Sequence, residues 1–429
     1  MMTIHFEFDW VDADPSPDMA MNQTMAQLSI QVAGETVTSV HDHTRDTYRD
    51  HVVVPLLSMA QWLVSNWCHI WHEIPDRYRQ KYGFEQRHTL AFAGDGFIFP
   101  KLTMTPSVDG KQKLQWTCWQ PDHAQIEFIT SGKEYVDSNQ LQAKLKHVIE
   151  AVLDRMNSFG HQHGAIVSDL KESWQAVETL DLEEREFCRA AALLGMDPFH
   201  LHQDTAKTII NFWDHTESSI REDIWASLEE ANFREAFSWL DHTWKTLERN
   251  YAGSENEWAA IRNGLPTMRM VKPWKQGYAL ARCLRHELGC GDGWFNFTSS
   301  RQPALSYWKT DMPSNRVEGF VLADTPICAI VRKEGVAERF LLARALGDYI
   351  GRSETRPGIL TTMDTARQAQ SRAFAAELLA PSNSLRPRLA DHKGTDEEVI
   401  NDLSQEFKVS DLVIKHQIKN HNLTRSSVS

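Results

Sequence analysis

The spacing of apolar residues changes near residue 136, and this change constrains the fold more than any other feature of the chain. Before that point apolar and polar residues alternate, as in TIHFEFDW, where Ile4, Phe6 and Phe8 fall on one side. A period of two is typical of half-buried β-strands. After that point apolar residues recur every three or four positions, beginning with Leu141 and Leu145, as in an amphipathic helix. The sequence therefore predicts an α+β fold.

Three regions are expected along the chain. Residues 1–135 are predicted to form an α+β domain with an antiparallel sheet, because strand patterns are separated by turn signals such as Gly34 and VDGK. Residues 136–262 are predicted to be helical, and the stretch NGLPTMRMVKP marks the next boundary. Residues 263–429 are then a C-terminal domain that ends in two closing helices.

Charge and composition limit the classes of partner. The formal net charge of −13 argues against bulk affinity for nucleic acid or an anionic membrane, because neutralising phosphates requires clustered Lys and Arg. No apolar run approaches the roughly 18 residues of a membrane span, and the acidic N-terminal stretch does not resemble a signal peptide. The six cysteines form no CxxC pair. We expect a cytoplasmic protein with no membrane partner and at most a local contact with DNA.

Tryptophans are concentrated in the stretch LLSMAQWLVSNWCHIWHE, which holds Trp62, Trp67 and Trp71. Trp67 and Trp71 are four residues apart, and Leu63 lies four residues before Trp67, so these three side chains share one helical face. An aromatic-rich core helix is the expected structure. The alternative is a groove in which the tryptophans bind a partner.

Two histidine motifs need to be weighed as metal sites. In RHELGC, His286 and Glu287 resemble the start of a zinc-binding HExxH helix, but His286 points away from the apolar stripe of its helix. Gly289 is predicted to end this helix, so no metal site is expected there. His41 and His43 form an HxH pair on a predicted strand, which puts both rings on one side. Because a third ligand is missing, surface histidines are expected, and a metal site is the alternative.

The last 160 residues or so resemble a known family. WKQGYALARCLRHELG matches the first helix of ImmA/IrrE zinc metallo-endopeptidases, a group of cytoplasmic proteases that cleave a partner repressor, and EGFVLADTPICAIVRKEGVAERF resembles the strands that follow. RFLLARALGDYI aligns with the RFxLAHELGHxL of the family, and QAQSRAFAAELLAP resembles its second helix, ExEANxFAAELLMP. The resemblance implies a zincin-like C-terminal domain.

The departures from the family pattern fall on the catalytic positions. Arg344 stands at the first ligand histidine, Ala345 at the general-base glutamate, Asp348 at the second histidine and Gln370 at the ligand glutamate. Zinc catalysis requires about three neutral or anionic ligands, an open position for water and a carboxylate base. Arg344 is a permanent cation without an acceptor atom, and Ala345 has no group that can accept or donate a proton. We therefore expect no catalytic residues of the family type and no cofactor, zinc included.

The altered helix is expected to keep its shape through an ion pair. Arg344 and Asp348 are four residues apart on one face, where a guanidinium can reach a carboxylate, and Gln370 is expected to hydrogen-bond nearby. Gly347 predicts close packing of another backbone, because a glycine inside a helix costs about 1 kcal/mol relative to alanine. The alternative is a solvated surface ion pair on an ordinary helix.

The resemblance implies a non-catalytic binding or regulatory protein that recognises a protein partner, in a setting of stress response, mobile-element regulation or phage defence. One alternative is a metallo-endopeptidase that acts on a partner repressor through another metal site, for which His41 and His43 are the candidate ligands. A second alternative is a DNA-binding regulator that uses the C-terminal helices. Their basic excess is weak, since Lys415 and Lys419 are offset by nearby acidic residues, so packing against the preceding domain is expected.

Overall fold

The computed structural model describes residues 4–12, 18–78, 80–94, 96–159, 164–251, 257–266, 272–298, 303–352, 355–390 and 397–423. The chain divides into two compact units: unit 1 comprises residues 1–75 and 79–211, and unit 2 comprises residues 76–78 and 212–429. The predicted α+β class is confirmed, with antiparallel sheets in the N-terminal region. The expected boundaries at 135 and 262 do not coincide with this division, because helices of the predicted central region pack into two different cores.

The described residues of unit 1 form ten strands, seven complete α-helices and most of an eighth. The strands are β1 (Ile4–Trp10), β2 (Met25–Val32), β3 (Glu35–Thr36), β4 (Val40–Asp42), β5 (Thr47–Arg49), β6 (Val52–Pro55), β7 (Leu102–Pro106), β8 (Lys111–Trp116), β9 (Ile126–Phe128) and β10 (Gly132–Asp137). The helices are α1 (Met19–Gln23), α2 (Leu56–Ser65), α3 (Trp67–His72), α4 (Phe84–His88), α5 (Ser138–Ser158), α6 (Gly164–Glu178), α7 (Leu182–Leu193) and α8 (Gln203–His215), which runs into unit 2.

The described strands of unit 1 form three antiparallel sheets. β2 pairs with β1 along one edge and with β6 and β3 along the other, β8 lies between β7 and β10, and β4 lies between β5 and β9. The predicted alternation fixes the register of the first pair, in which Ile4 lies opposite Val32 and Phe6 opposite Ile30. Ile4, Val32 and Ile30 are all fully buried, so this face of the sheet forms part of the core.

The helix predicted from the change of period is α5. Six apolar residues of this helix, beginning with the predicted Leu141 and Leu145, are all buried in the core of unit 1: Leu141, Leu145, Val148, Ile149, Val152 and Met156. This helix crosses the core beside β1 and α2. The predicted single tryptophan helix is interrupted at Asn66, so α2 and α3 are separate helices.

Unit 2 contains four strands and nine helices among its described residues. The strands are β11 (Tyr307–Thr310), β12 (Val317–Val321), β13 (Cys328–Val331) and β14 (Gly358–Thr361). The helices are α9 (Ser218–Ser227), α10 (Phe233–Tyr251), α11 (Glu257–Gly264), α12 (Pro273–Glu287), α13 (Gly335–Ile350), α14 (Ala366–Leu379), α15 (Ser382–Ala390), α16 (Glu397–Phe407) and α17 (Asp411–Asn420).

The sheet of unit 2 supports the helices that carry the predicted site. Its strand order is β11-β13-β12-β14, with β11 and β13 parallel and the other pairs antiparallel. α13 packs against β12, β13, β14, α12 and α14. Every residue of α13 from Leu341 to Ile350 is buried, which is the pattern of a helix enclosed on all sides.

The short segment 76–78 belongs to unit 2 because an ion pair and a bridge hold it there. The Asp76 carboxylate lies 2.9 Å from Nε of Arg316 and accepts a hydrogen bond of 2.9 Å from the Thr362 hydroxyl. Asp76 also forms an isolated antiparallel bridge with Met363. Arg316 is buried and makes a second ion pair, of 2.8 Å, with Glu229. The polar groups of this segment are therefore compensated inside unit 2.

The closing helices pack on the same core, as expected. Five apolar side chains of α16 and α17 and of the turn between them are buried there: Leu403, Phe407, Val409, Val413 and Ile418. Lys415 and Lys419 lie on the exposed side of α17. Among the described residues, no helix combines the length and the apolar character needed to cross a membrane.

Candidate functional site

The residues at the four family positions lie on the two packed helices α13 and α14. Arg344, Ala345 and Asp348 belong to α13 and are buried, and Gln370 belongs to α14 and is half-buried. The two helices are in close contact along their length. The spacing of the motifs therefore identified two helices that do meet in the fold.

Arg344 lies in a buried polar network of its own. Its guanidinium forms an ion pair with Glu318 on β12. One nitrogen, Nη2, also donates to the carbonyl oxygen of Thr361 at 2.8 Å and to Oε1 of Gln368 at 2.6 Å. Gln368 is fully buried, and its amide nitrogen donates to the carbonyl oxygen of Ile359 at 2.7 Å. Arg344 thus joins β12, β14 and α14 around one buried cation.

Asp348 lies in a second buried network, one turn further along α13. Its Oδ1 accepts a hydrogen bond of 2.6 Å from Nε of Arg367, and its Oδ2 accepts one of 3.1 Å from Nε of Arg352. Nη2 of each arginine also donates to Oδ2. Both oxygens of this carboxylate therefore face guanidinium groups on two sides.

The charge state of Asp348 follows from these neighbours. Burial alone disfavours the ionised carboxylate, but Arg352 and Arg367 outweigh burial and lower the pKa of Asp348 to about 2. Asp348 is therefore an anion at neutral pH. Its negative charge is matched by two cations that cannot lose their protons in this pH range.

The expected ion pair between Arg344 and Asp348 was wrong. Both residues are buried on one face of α13, but each pairs with charged residues that are better placed. Arg352 lies four residues after Asp348, so the same spacing rule could have found it. Glu318 and Arg367 come from other elements, and no sequence pattern indicates their approach to α13. The alternative of a solvated surface pair is also wrong, since the relative exposure of Arg344 is 2% and that of Asp348 is 5%.

Two glycines make room for this arrangement. A Cβ atom at Gly347 would overlap the ring of Phe374 on α14, so the neighbour that approaches closely is a side chain and not the predicted backbone. A Cβ atom at Gly358 on β14 would overlap the Asp348 carboxylate and the guanidinium groups beside it. The carboxylate network therefore occupies space that any other residue at 358 would fill.

Asp348 and Gln370 line one open cavity of about 330 Å³. Three arginines line it as well, namely Arg352, Arg356 and Arg367. Arg356 is exposed, and its Nη1 donates to the Ser218 hydroxyl at 2.8 Å. Arg344 is not among the lining residues. The wall of this cavity carries three permanent positive charges and the Asp348 carboxylate.

The residues at this site do not fit a zinc ion. A zinc site requires lone pairs from about three ligand atoms. Arg344 and Ala345 have none to offer, and both Asp348 oxygens already accept hydrogen bonds from guanidinium groups. A divalent cation beside Asp348 and Gln370 would also be repelled by Arg352 and Arg367. The charges of the site instead favour an anion at its open side.

The helix that carries RHELGC ends within the motif, as predicted. α12 ends at Glu287, His286 is exposed, and Gly289 has a φ of +58°, which ends the helix before Cys290. The amide of Cys290 donates to the carbonyl oxygen of Arg285 at 2.9 Å, closing the helix terminus. The two ends of the apparent motif therefore do not lie on one helix.

The tryptophan candidates of unit 1 are mainly core residues. Trp62 is buried, and its indole nitrogen donates to the carbonyl oxygen of Gln86 at 2.9 Å. Trp67 is also buried and packs edge-on against Trp71 and Trp174, with ring centroids 5.5 and 4.9 Å apart. Trp67, Trp71 and Trp174 line a cavity of about 690 Å³. The expected aromatic core is confirmed for Trp62 and Trp67, and a partner groove stays the alternative where Trp67 and Trp71 line this cavity.

The histidine pair of unit 1 gains a residue that sequence reasoning missed. His41 lies on β4 and His43 directly follows this strand, while Glu127 lies on the neighbouring strand β9. One ligand atom from each of these three residues lies within 4.8 Å of the other two. Glu127 is far along the chain from the histidines, and only the pairing of β4 with β9 brings it to them.

Comparisons of the chain with models of protein families, with curated proteins and with solved structures find no match. The resemblance of residues 270–429 to the ImmA/IrrE family therefore stays a prediction based on the motifs in α13 and α14.

Proposed function

We propose that this chain is a non-catalytic, ImmA/IrrE-like binding or regulatory protein whose unit 2 recognises a protein partner. The observation that carries the proposal is that the charged residues at two of the family's zinc-ligand positions are each paired with charged residues from elsewhere in unit 2. Arg344 is paired with Glu318, and Asp348 is paired with Arg352 and Arg367. The motif-bearing helices are thus kept in place without a metal, and the carboxylate base is missing.

The cavity beside Asp348 suggests what the partner contributes. Its lining carries Arg352, Arg356 and Arg367 against a single carboxylate. Guanidinium groups bind carboxylates through paired hydrogen bonds and retain their charge at any physiological pH. We infer that an acidic side chain of the partner enters this cavity. The association of the family with repressor cleavage favours a regulatory setting such as stress response, mobile-element control or phage defence, which is an argument from analogy.

The test is a comparative capture experiment with the full chain as bait. Wild type is compared with Arg356→Glu, which reverses one exposed charge of the cavity. Arg332→Glu is the matched control, because Arg332 is also an exposed arginine of unit 2 and lies outside the cavity. We expect at least one protein that wild type and the control retain equally. Its recovery falls about tenfold or more with Arg356→Glu, since a like charge opposes the acidic group.

The fate of the captured protein separates the alternatives. The proposal expects it to remain intact during incubation, with or without a zinc chelator. Cleavage that the chelator abolishes would instead support the metallo-endopeptidase. Retention of DNA at about physiological salt that is lost with Lys415→Glu and Lys419→Glu would support the DNA-binding regulator. If no captured protein depends on Arg356, the cavity is not the recognition site.

A further inference from the structure

The short sheet β5-β4-β9 of unit 1 presents nitrogen and oxygen ligands on one face. His41 lies directly opposite Glu127 in the antiparallel pair β4 and β9. The amide of His43 continues this pairing by donating to the carbonyl oxygen of Gln125 at 2.8 Å. Since successive side chains alternate between faces, His41 and His43 point to the same side, together with Glu127.

One distance between these side chains matches the separation of two ligand atoms around a small metal ion. Nε2 of His43 lies 3.4 Å from Oε2 of Glu127. In a tetrahedral site with bonds of about 2.0–2.1 Å, ligand atoms are about 3.3 Å apart. The two imidazole rings are 4.5 Å apart between centroids, and one ligand atom of each of the three residues lies within 4.8 Å of the others.

The surroundings hold the His41 ring in place. Tyr48 stacks on it with a centroid distance of 4.6 Å, and Oδ1 of Asp46 lies 3.0 Å from its Nε2. When Nε2 carries the proton, it donates to Asp46 and leaves the lone pair on Nδ1 free. A carboxylate on the second ring nitrogen is the usual support for a histidine that binds a metal.

We propose that His41, His43 and Glu127 form a binding site for a divalent transition-metal ion, with zinc as the first choice. Two imidazoles and one carboxylate suit zinc, copper, nickel and cobalt, whereas calcium and magnesium require mostly oxygen ligands. The fourth position is left for water. A bound ion would link β4 to β9, which comes much later in the chain, and would stabilise the sheet β5-β4-β9.

The site is tested by zinc titration of the full chain after removal of metals with a chelator. Isothermal titration calorimetry is expected to give one zinc ion per chain. His43→Ala and Glu127→Gln are each expected to weaken binding at least tenfold, since mutation of outer-shell partners alone costs about 10–100-fold. His51→Ala is the matched control: His51 is a nearby half-exposed histidine paired with Asp50, and its loss is expected to leave the affinity unchanged.

Two further measurements test the coordination of the ion and the folding of the variants. Cobalt(II) in place of zinc is expected to give the visible absorption of a four-coordinate ion, and this absorption should be absent in Glu127→Gln. Hydrogen exchange of residues 40–49 in the metal-free proteins shows whether a variant has kept the sheet. Substoichiometric binding to wild type, or equal affinity in wild type, His43→Ala and Glu127→Gln, would overturn the proposal.

Discussion

The helix pair α13 and α14 and the sheet β5-β4-β9 both gather side chains that can bind metals, but they surround them differently. Asp348 is buried, and two guanidinium groups occupy its oxygens. His41, His43 and Glu127 remain partly exposed, with 17%, 37% and 42% of their side-chain surface accessible. In the first region the counter-charge is part of the protein, whereas in the second the ligands still have lone pairs to share.

The two regions differ because burial determines whether a carboxylate needs a permanent counter-charge. A buried anion must be compensated at all times, because stranding it costs several kcal/mol. Arginines provide this compensation permanently, and they thereby exclude a metal. A carboxylate at the surface is solvated by water, so it stays available to a metal. The stability of the buried helix pair is accordingly expected to depend strongly on its charges, and that of the exposed sheet only weakly.

The largest effect is expected for Asp348→Asn. The substitution keeps the size of the side chain but leaves Arg352 and Arg367 without their anion, which is expected to lower the free energy of unfolding of unit 2 by about 3–5 kcal/mol. Hydrogen exchange followed by mass spectrometry on peptides from 335–379 measures the loss in the full chain.

Asp364→Asn is the matched control for this prediction. Asp364 also pairs with an arginine of α14, Arg372, but 47% of its side chain is exposed. Exposed pairs contribute about 0–1 kcal/mol, so exchange should change little. Equal effects of the two substitutions would mean that burial does not set the strength of these networks.

A smaller effect is expected from the neighbouring network. Arg344→Met removes the cation between Glu318 and Gln368 and is expected to cost about 3 kcal/mol, while Glu318→Gln in the same chain should restore about 1–2 kcal/mol of it. The recovery arises because the carboxylate is no longer left without its partner. A double-mutant cycle measured by denaturant unfolding gives this coupling. Additive effects would show that the two side chains do not act as a pair.

Sequence reasoning was most successful where a repeating pattern determines the structure. The spacing of Leu141 and Leu145 predicted α5, and the alternation from Ile4 onward predicted β1, because periodicity reflects which face is buried. The positions of α13 and α14 were predicted from motifs. The partners of Arg344 and Asp348 were not, because Glu318 and Arg367 reach α13 only through tertiary packing. Glu127 was missed for the same reason.

The division into two units was also beyond sequence reasoning. Helices α5 and α6 have the same pattern as α9 and α10, so periodicity alone cannot show that they pack into different cores. The assignment of segment 76–78 to unit 2 depends on the ion pair between Asp76 and Arg316, which are far apart in the chain. Patterns thus identify the elements, and long-range charges and contacts determine their partners.

Acid is expected to weaken the buried network around Asp348. The pKa of Asp348 is lowered to about 2 in the folded chain, from an ordinary value of 3.8, so the carboxylate stabilises unit 2 at neutral pH and loses this contribution as pH falls from about 4 to about 2. The advantage of wild type over Asp348→Asn is therefore expected to shrink by about 2 kcal/mol over this range. Denaturant unfolding of both proteins between pH 6 and pH 2 measures it.

The comparison of variants is needed because the pKa of another buried carboxylate, Glu73, is also lowered. Burial opposes ionisation of Glu73 in unit 1, but hydrogen bonds from Arg87 and His88 lower its pKa as well. Acid therefore weakens unit 1 in both proteins alike. Parallel pH profiles for wild type and Asp348→Asn would contradict the assigned role of the Asp348 network.

The smallest effect is expected for His43→Ala in metal-free protein. Its contact with Glu127 is 3.4 Å long and partly exposed, so its loss is expected to change the free energy of unfolding by no more than about 0.5 kcal/mol. With zinc at about 100 times its dissociation constant, wild type should gain about 2.7 kcal/mol and the variant much less. Thermal unfolding with and without zinc measures both values. A large loss without metal would mean that the histidine is structural, and the contrast between the buried helix pair and the exposed sheet would disappear.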